Sequence, residues 1–203
     1  MKDKCLICTE QSMHRCEVPV QMKKVKGLII MLLISLSLFG MTACDGENGK
    51  VSTYEQITAE LWSANLYLSM SFYLKREGYD GFAHWMEKQY HEEVNHAIAI
   101  AHYMINRNAI PKIEKLDVVP QSWGNPQEAF EDAYKHERHV SQLIDLLVKV
   151  ASEEKDNATQ DFLWRFVREQ VEEEASTLNI VEKMRKAGEA GILFLDAQLG
   201  KRA

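Results

Sequence analysis

From Ser52 onward the chain keeps one hydrophobic period, 3.6, and shows no stretch of apolar–polar alternation. Stripes of that period are buried only when helices pack on one another, so the class is all-α. Turn and capping residues cut the run into long pieces. The first helix opens with a capping box, Ser52 as N-cap and Glu55 at N3, and carries Ile57, Leu61, Ala64, Leu68 and Phe72 as its apolar stripe. Gly78 to Gly81 ends it, and a second helix is expected from about Phe82 to Arg107, closed by Asn108 and Pro111. Asn125-Pro126-Gln127-Glu128 starts a third, with Pro at N1 and Glu at N3, running to about Glu154. A fourth follows Lys155-Asp156-Asn157 and stops near Gly188; Gly191 to Leu199 reads as a short apolar fifth. Between the second and third helices, Lys112 to Gly124 contains Pro120 and a Trp-Gly pair but no helical period. That linker is long enough to cross the length of a bundle. Short, long and short connections specify a four-helix bundle with one crossover and a C-terminal appendage.

Acids sit where such a bundle would bury them. Glu93 and His96, in the middle of the second helix, stand at i and i+3, so both side chains reach the same side. Carboxylate plus imidazole is a ligand pair suited to iron, manganese or zinc. Alone the pair is weak evidence, because helices are rich in Glu. The zinc-protease pattern His-Glu-x-x-His is not met, since His91-Glu92 is followed by Asn95 where His is required. Company strengthens it: the first helix offers Glu60, the third Glu137, and the fourth Gln170 and Glu173. Charges at that depth are costly unless they pair or bind a metal. Net charge is −6, and because residues 1–44 carry six Lys/Arg against three Asp/Glu, the remainder carries −9. An acidic body argues against nucleic acid as a partner and is compatible with drawing in cations.

From Ser52 to Leu199 the chain resembles the bacterial non-haem ferritins. The resemblance rests on Ala59-Glu60-Leu61, Asn65-Leu66-Tyr67, Glu92-Glu93-x-x-His96, Tyr134-Lys135-His136-Glu137, and Glu169-Gln170-x-Glu172-Glu173-Glu174. It implies a ferritin-like bundle spanning residues 52–203 and a ferroxidase centre that takes two irons per subunit. Glu60, Glu93 and His96 would hold one iron; Glu93 would bridge to a second held by Glu137 and Glu173. Gln170 would lie beside the oxygen site and Tyr67 next to the centre, while Glu92, Glu169 and Glu172 correspond to the family's additional iron site. The implied activity is oxidation of Fe(II) by O2 or H2O2 and storage of the ferric product as mineral in a 24-subunit cage. Haem is not expected, because the bacterioferritin methionine after the bridging Glu is Val94 here. A second Glu-x-x-His is absent from the fourth helix, where Ser176 and Ala175 occupy the positions three beyond Glu173 and Glu172. The alternatives are a non-storing di-iron peroxidase or oxygenase on the same bundle, or an envelope iron-binding protein without a cage.

All four cysteines, Cys5, Cys8, Cys16 and Cys44, precede the bundle, which therefore has neither disulfide nor thiolate ligand. Residues 1–21 read as a leader or a misassigned start. Lys23, Lys24 and Lys26, the apolar run Leu28 to Gly40 and the small residues ending at Cys44 have the form of a secretory signal. The run is shorter than the roughly 20 residues of a membrane span. It resembles a bacterial lipobox, which implies lipidation of Cys44, residues 45–51 as a tether, and a location at the cell envelope; the alternative is cytoplasmic. His136 and His139 share a face and could take a metal, but buried or exposed structural histidines are the expectation. Trp62, Trp85, Trp164 and Phe166 are expected in the core or at subunit contacts, and Met70, Met86, Met104 and Met184 in packing.

Overall fold

The computed structural model describes residues 53–201; the expected N-cap at Ser52, the signal and lipobox, and the tether lie outside them. The described chain forms α1 (Thr53–Arg76), α2 (Asp80–Asn106), α3 (Pro126–Glu153) and α4 (Asn157–Leu199). Within α4 a single non-helical residue, Gly188 at φ 61° and ψ 179°, breaks the rod. A residue with a Cβ is disfavoured at that φ, so glycine permits a bend without a loop. The C-terminal arm beyond it is the fifth helix. None of the described helices is long and apolar enough to cross a membrane.

Ends are set by side chains. The Asn125 side chain accepts from the Glu128 backbone N–H, and Glu128 in turn accepts from the Gly124 N–H. Asp156 caps α4 through the Thr159 N–H and pairs with Arg107 at 2.7 Å, tying the end of α2 to the start of α4. Asn108, at φ 59°, turns the chain out of α2 as the left-handed residues of helix ends do.

α1 packs on α2 and α3 on α4. Phe82 and Trp85, early in α2, meet Phe130, early in α3, so those two helices run parallel. Parallel neighbours require the crossover to traverse the bundle. It does so along α1: Ser69 Oγ donates to the Pro120 carbonyl, and the Trp123 ring lies 5.4 Å from Tyr73. One large apolar cluster joins Tyr67, Met70, Phe82, Met86, Phe130 and Met184; a second joins Ile57, Ile100, Met104, Ile144 and Phe166. The acids lie between them.

The apolar stripe expected on α1 is rotated in the structure. Phe72 is 63% exposed and Leu61 and Leu68 are half-buried, whereas Glu60, Ala64, Tyr67, Ser71 and Leu74 face inward. The buried face of α1 contains polar residues that hydropathy discounts. The second helix likewise begins at Asp80, two residues before the expected Phe82, and contains Gly81. Gly81 lies against the fifth helix so closely that a Cβ there would sit 1.8 Å from the Asp196 carbonyl oxygen. Leu195 is buried at this junction and Asp196 Oδ1 accepts from the Phe82 N–H at 2.7 Å, while Leu193 and Phe194 stay exposed.

Candidate metal centre

Four helices bring Glu60, Glu93, Glu137 and Glu173 toward the mid-plane of the bundle. Glu60, Glu93 and Glu137 are buried almost completely. Ligand atoms of Glu60, Glu93 and His96 lie within 4.8 Å of one another, and among the described residues no other set of three acids, histidines or cysteines converges so tightly. His96 Nδ1 stands 3.5 Å from Glu93 Oε2 and 3.9 Å from Glu60 Oε2. Those two carboxylate oxygens are buried, and no N–H or hydroxyl donor reaches them; the two carboxyl groups face each other. A buried carboxylate oxygen without a donor is costly, and a cation would satisfy both at once.

The remaining carboxylate oxygens are held. Gln56 Nε2 donates to Glu60 Oε1 at 2.6 Å, one turn back on the same helix. Tyr67 Oη donates to Glu137 Oε1, and Gln170 Nε2 to Glu137 Oε2 at 3.0 Å. Gln89 Nε2 donates to Glu173 Oε2 at 2.8 Å. Burial pushes the Glu60 and Glu93 carboxyls well above their usual range, and each adds the repulsion of a nearby acid, Glu93 on Glu60 and Glu137 on Glu93. Glu137 is raised too, again by burial, although Tyr67 and Gln170 pull it back. The Tyr67 phenol is pushed up by burial and by the Glu137 charge, so it stays a donor. Raised carboxyl pKa values favour retention of protons, and a divalent cation would compete with them. Four carboxylates and one imidazole form a hard, mostly oxygen donor set of the kind that favours iron or manganese.

A family model described as a ferritin-like domain matches residues 53–187. The chain belongs to the ferritin family. It is 64% identical over 148 residues to a bacterial non-heme ferritin of Bacteroides fragilis, covering 73% of this chain and 93% of that one. A bacterial non-heme ferritin of Escherichia coli is 31% identical over 147 residues, covering 71% and 89%. Among solved structures, an open pore ferritin of Archaeoglobus fulgidus superposes with a TM-score of 0.73 at 44% identity, covering 74% of this chain and 94% of that one.

Within this ferritin bundle the three expected acids of the additional site are not drawn into the compact group. Glu169 Oε2 reaches to 3.5 Å from His96 Nε2 from a half-exposed position. Glu92 is half-buried next to Glu93, whose proton its charge helps to retain, and Glu172 is exposed. His136 is no ligand. Its Nε2 lies 2.8 Å from Ser63 Oγ, and Ser63 spends its own proton on the Ala59 carbonyl at 2.9 Å, so the imidazole is the donor. It packs against Trp62 and Tyr67, and burial lowers its pKa to about 3. His139 is lowered by burial as well, and its Nε2 has no hydrogen-bond partner. Trp85 and Phe166 are core residues as expected, whereas Trp164 is 46% exposed.

Sequence reasoning missed Gln56 and Gln89. Each stands four residues before a buried Glu, which places it on the same face one turn back. That spacing was the available signal.

Proposed function

We propose that this protein is an iron store that oxidises its own cargo: Fe(II) enters the bundle, loses an electron at the acid cluster, and accumulates as ferric mineral inside a multimeric shell. The observation that carries this is the convergence of Glu60, Glu93 and His96 with two buried carboxylate oxygens left unsatisfied. Two Fe(II) would bind as substrate. His96 and Glu60 hold one, Glu137 and Glu173 hold the other, and Glu93, between the two groups, bridges them. Binding displaces the protons that the buried acids retain, which requires a route for them to leave. Two irons oxidised together supply two electrons, enough to take O2 to H2O2 or H2O2 to water, so no reductase is required for a single loading. Hard carboxylate oxygens favour Fe(III) over Fe(II), which makes oxidation downhill at this donor set. Tyr67 and Gln170 hold Glu137 in place beside the pair. The relatives' designation as non-heme ferritins supports the same reading, as does the oxygen-rich donor set of the cluster.

Glu169, with Glu92 and Glu172, would serve as an additional iron site on the accessible side of His96. The shell is proposed to have 24 subunits, and the segment 22–44 is proposed to export the chain and anchor it at Cys44. Size-exclusion chromatography before and after aerobic Fe(II) loading tests the central claim. Iron is expected to co-elute with a large assembly, at many ions per chain; a monomer or dimer that takes up only two irons per chain would overturn storage and leave a non-storing oxidase.

A further inference from the structure

α1 and α2 carry the same short pattern, Gln-x-x-x-Glu, at Gln56–Glu60 and Gln89–Glu93. On a helix the two side chains of such a pair lie one above the other, so each amide is within reach of the carboxylate that follows it. All four side chains are buried. The two amides nevertheless go to different partners. Gln56 donates within its own helix, to Glu60 Oε1 at 2.6 Å. Gln89 donates across the bundle, to Glu173 Oε2 on α4 at 2.8 Å, and no N–H or hydroxyl donor reaches Glu93 Oε2.

We propose that Gln89 is a positioning residue of the centre: by turning its amide from Glu93 to Glu173 it fixes the α4 carboxylate facing the site and keeps the α2 carboxylate free to bridge. Two consequences follow from the geometry. Glu173 is aimed by a contact across helices, from Gln89 on α2, 84 residues away in the chain. Glu137 is clamped by Tyr67 and Gln170, and Glu60 by Gln56, so the three terminal carboxylates each hold at least one amide or phenol donor. No amide or phenol donor reaches Glu93 Oε2, which faces the Glu60 carboxyl instead. A donor on Glu93 Oε2 would occupy the lone pair that a second cation needs. Partners behind a ligand of this kind orient it, and removing one typically lowers metal affinity by roughly 10–100-fold.

This rests on the paired-iron reading above, and cobalt binding separates the two. Anaerobic Co(II) titration of the assembled full chain, followed by visible absorption, is expected to count two ions per chain at the centre, apart from any at the additional site. Gln89→Met, which keeps side-chain length and removes the donor, should weaken one of the two ions by roughly 10–100-fold and leave the other unchanged. Its profile should match that of Glu173→Gln. Gln56→Met is the matched control: it removes an equally buried amide from the same pattern, and its profile should match Glu60→Gln instead. Gln89→Asn, which keeps an amide but withdraws it by one methylene, supplies a second readout if the methionine variant does not assemble. Two unaltered cobalt affinities in an assembled Gln89 variant, or the same loss in Gln56→Met, would overturn the role of Gln89 alone. A native chain that takes only one cobalt would overturn the paired-metal reading and this inference with it.

Discussion

Acidification should separate His136 from the buried acids of the core. Its imidazole is half-buried against Trp62, Ser63 and Tyr67, and desolvation, helped by His139, holds its pKa near 3 against an ordinary value of 6.5. The folded state therefore refuses a proton that the unfolded chain accepts. Stability from this source is intact above pH 6.5, falls as the pH drops through that value, and stops falling near pH 3. One pKa unit corresponds to about 1.4 kcal/mol, so between pH 7 and pH 5 the neutral His136 costs the native state about 2 kcal/mol. The buried acids act with the opposite sign. Glu60, Glu93 and Glu137 have raised pKa values, so the folded state binds their protons first and gains stability on acidification. Total stability against pH thus mixes the two contributions, and His136→Gln separates them. The variant keeps a donor toward Ser63 but cannot titrate, while the acids and His139 are common to both proteins. Chemical unfolding followed by tryptophan fluorescence at pH 7, 6 and 5 should show the native protein losing about 2 kcal/mol relative to the variant over that range. A difference that stays constant within about 0.5 kcal/mol would mean that the imidazole is protonated or solvated in the folded state, and the reasoning would fail.

Glu93→Gln should abolish fast Fe(II) oxidation in stopped-flow absorbance while leaving the unloaded protein as stable or about 1 kcal/mol more stable, because a carboxyl that burial disfavours becomes a neutral amide; an unchanged rate would sink the assignment. Gly81→Ala forces a methyl against the Asp196 carbonyl, so the fifth helix should detach at the loss of the Asp196 cap and the Leu195 burial, about 3 kcal/mol together, with a matching drop in thermal stability and in cage retention on size exclusion. For the proposed anchor, fractionation with labelled fatty acid should put label on the native chain and none on Cys44→Ala; a soluble, unlabelled native chain would remove the export claim and leave the centre untouched.

The connections were legible because they are written in local chemistry. Asn125-Pro126 with Glu128, Asp156 and Asn108 act within a few residues of themselves, so a reader who knows caps can place the end of α2 and the starts of α3 and α4 without knowing what they pack against. The pair Glu93 and His96 was legible for the same reason, since one helical turn fixes their relation before any tertiary contact forms. Gly188 lies at the other extreme. A glycine near the end of a helix reads as a stop, yet one positive φ lets the chain bend and continue, and only the docking of Leu195 and Asp196 on α2 decides where the second arm goes.

What sequence misplaced was the inward face of α1, and the cause bears on the function. Hydropathy sought the stripe through Ile57, Leu61, Ala64, Leu68 and Phe72; Ile57 and Ala64 are buried, but Phe72 is exposed and the helix also buries Gln56, Glu60, Ser63, Tyr67 and Ser71. Those residues cost desolvation free energy on folding and are tolerated because each has a partner: Gln56 and Glu60 pair along α1, while Ser63 meets His136, Tyr67 meets Glu137 and Ser71 meets Glu87 on other helices. The only buried carboxylate oxygens of the bundle without such an answer, among the described residues, are Glu60 Oε2 and Glu93 Oε2. A polar seam satisfied along its length except at two oxygens beside an imidazole is what a fold looks like when its last partner is to come from solution. Adding that partner should therefore stabilise the protein by mass action, and a metal that failed to raise the unfolding temperature would show that the seam closes on itself.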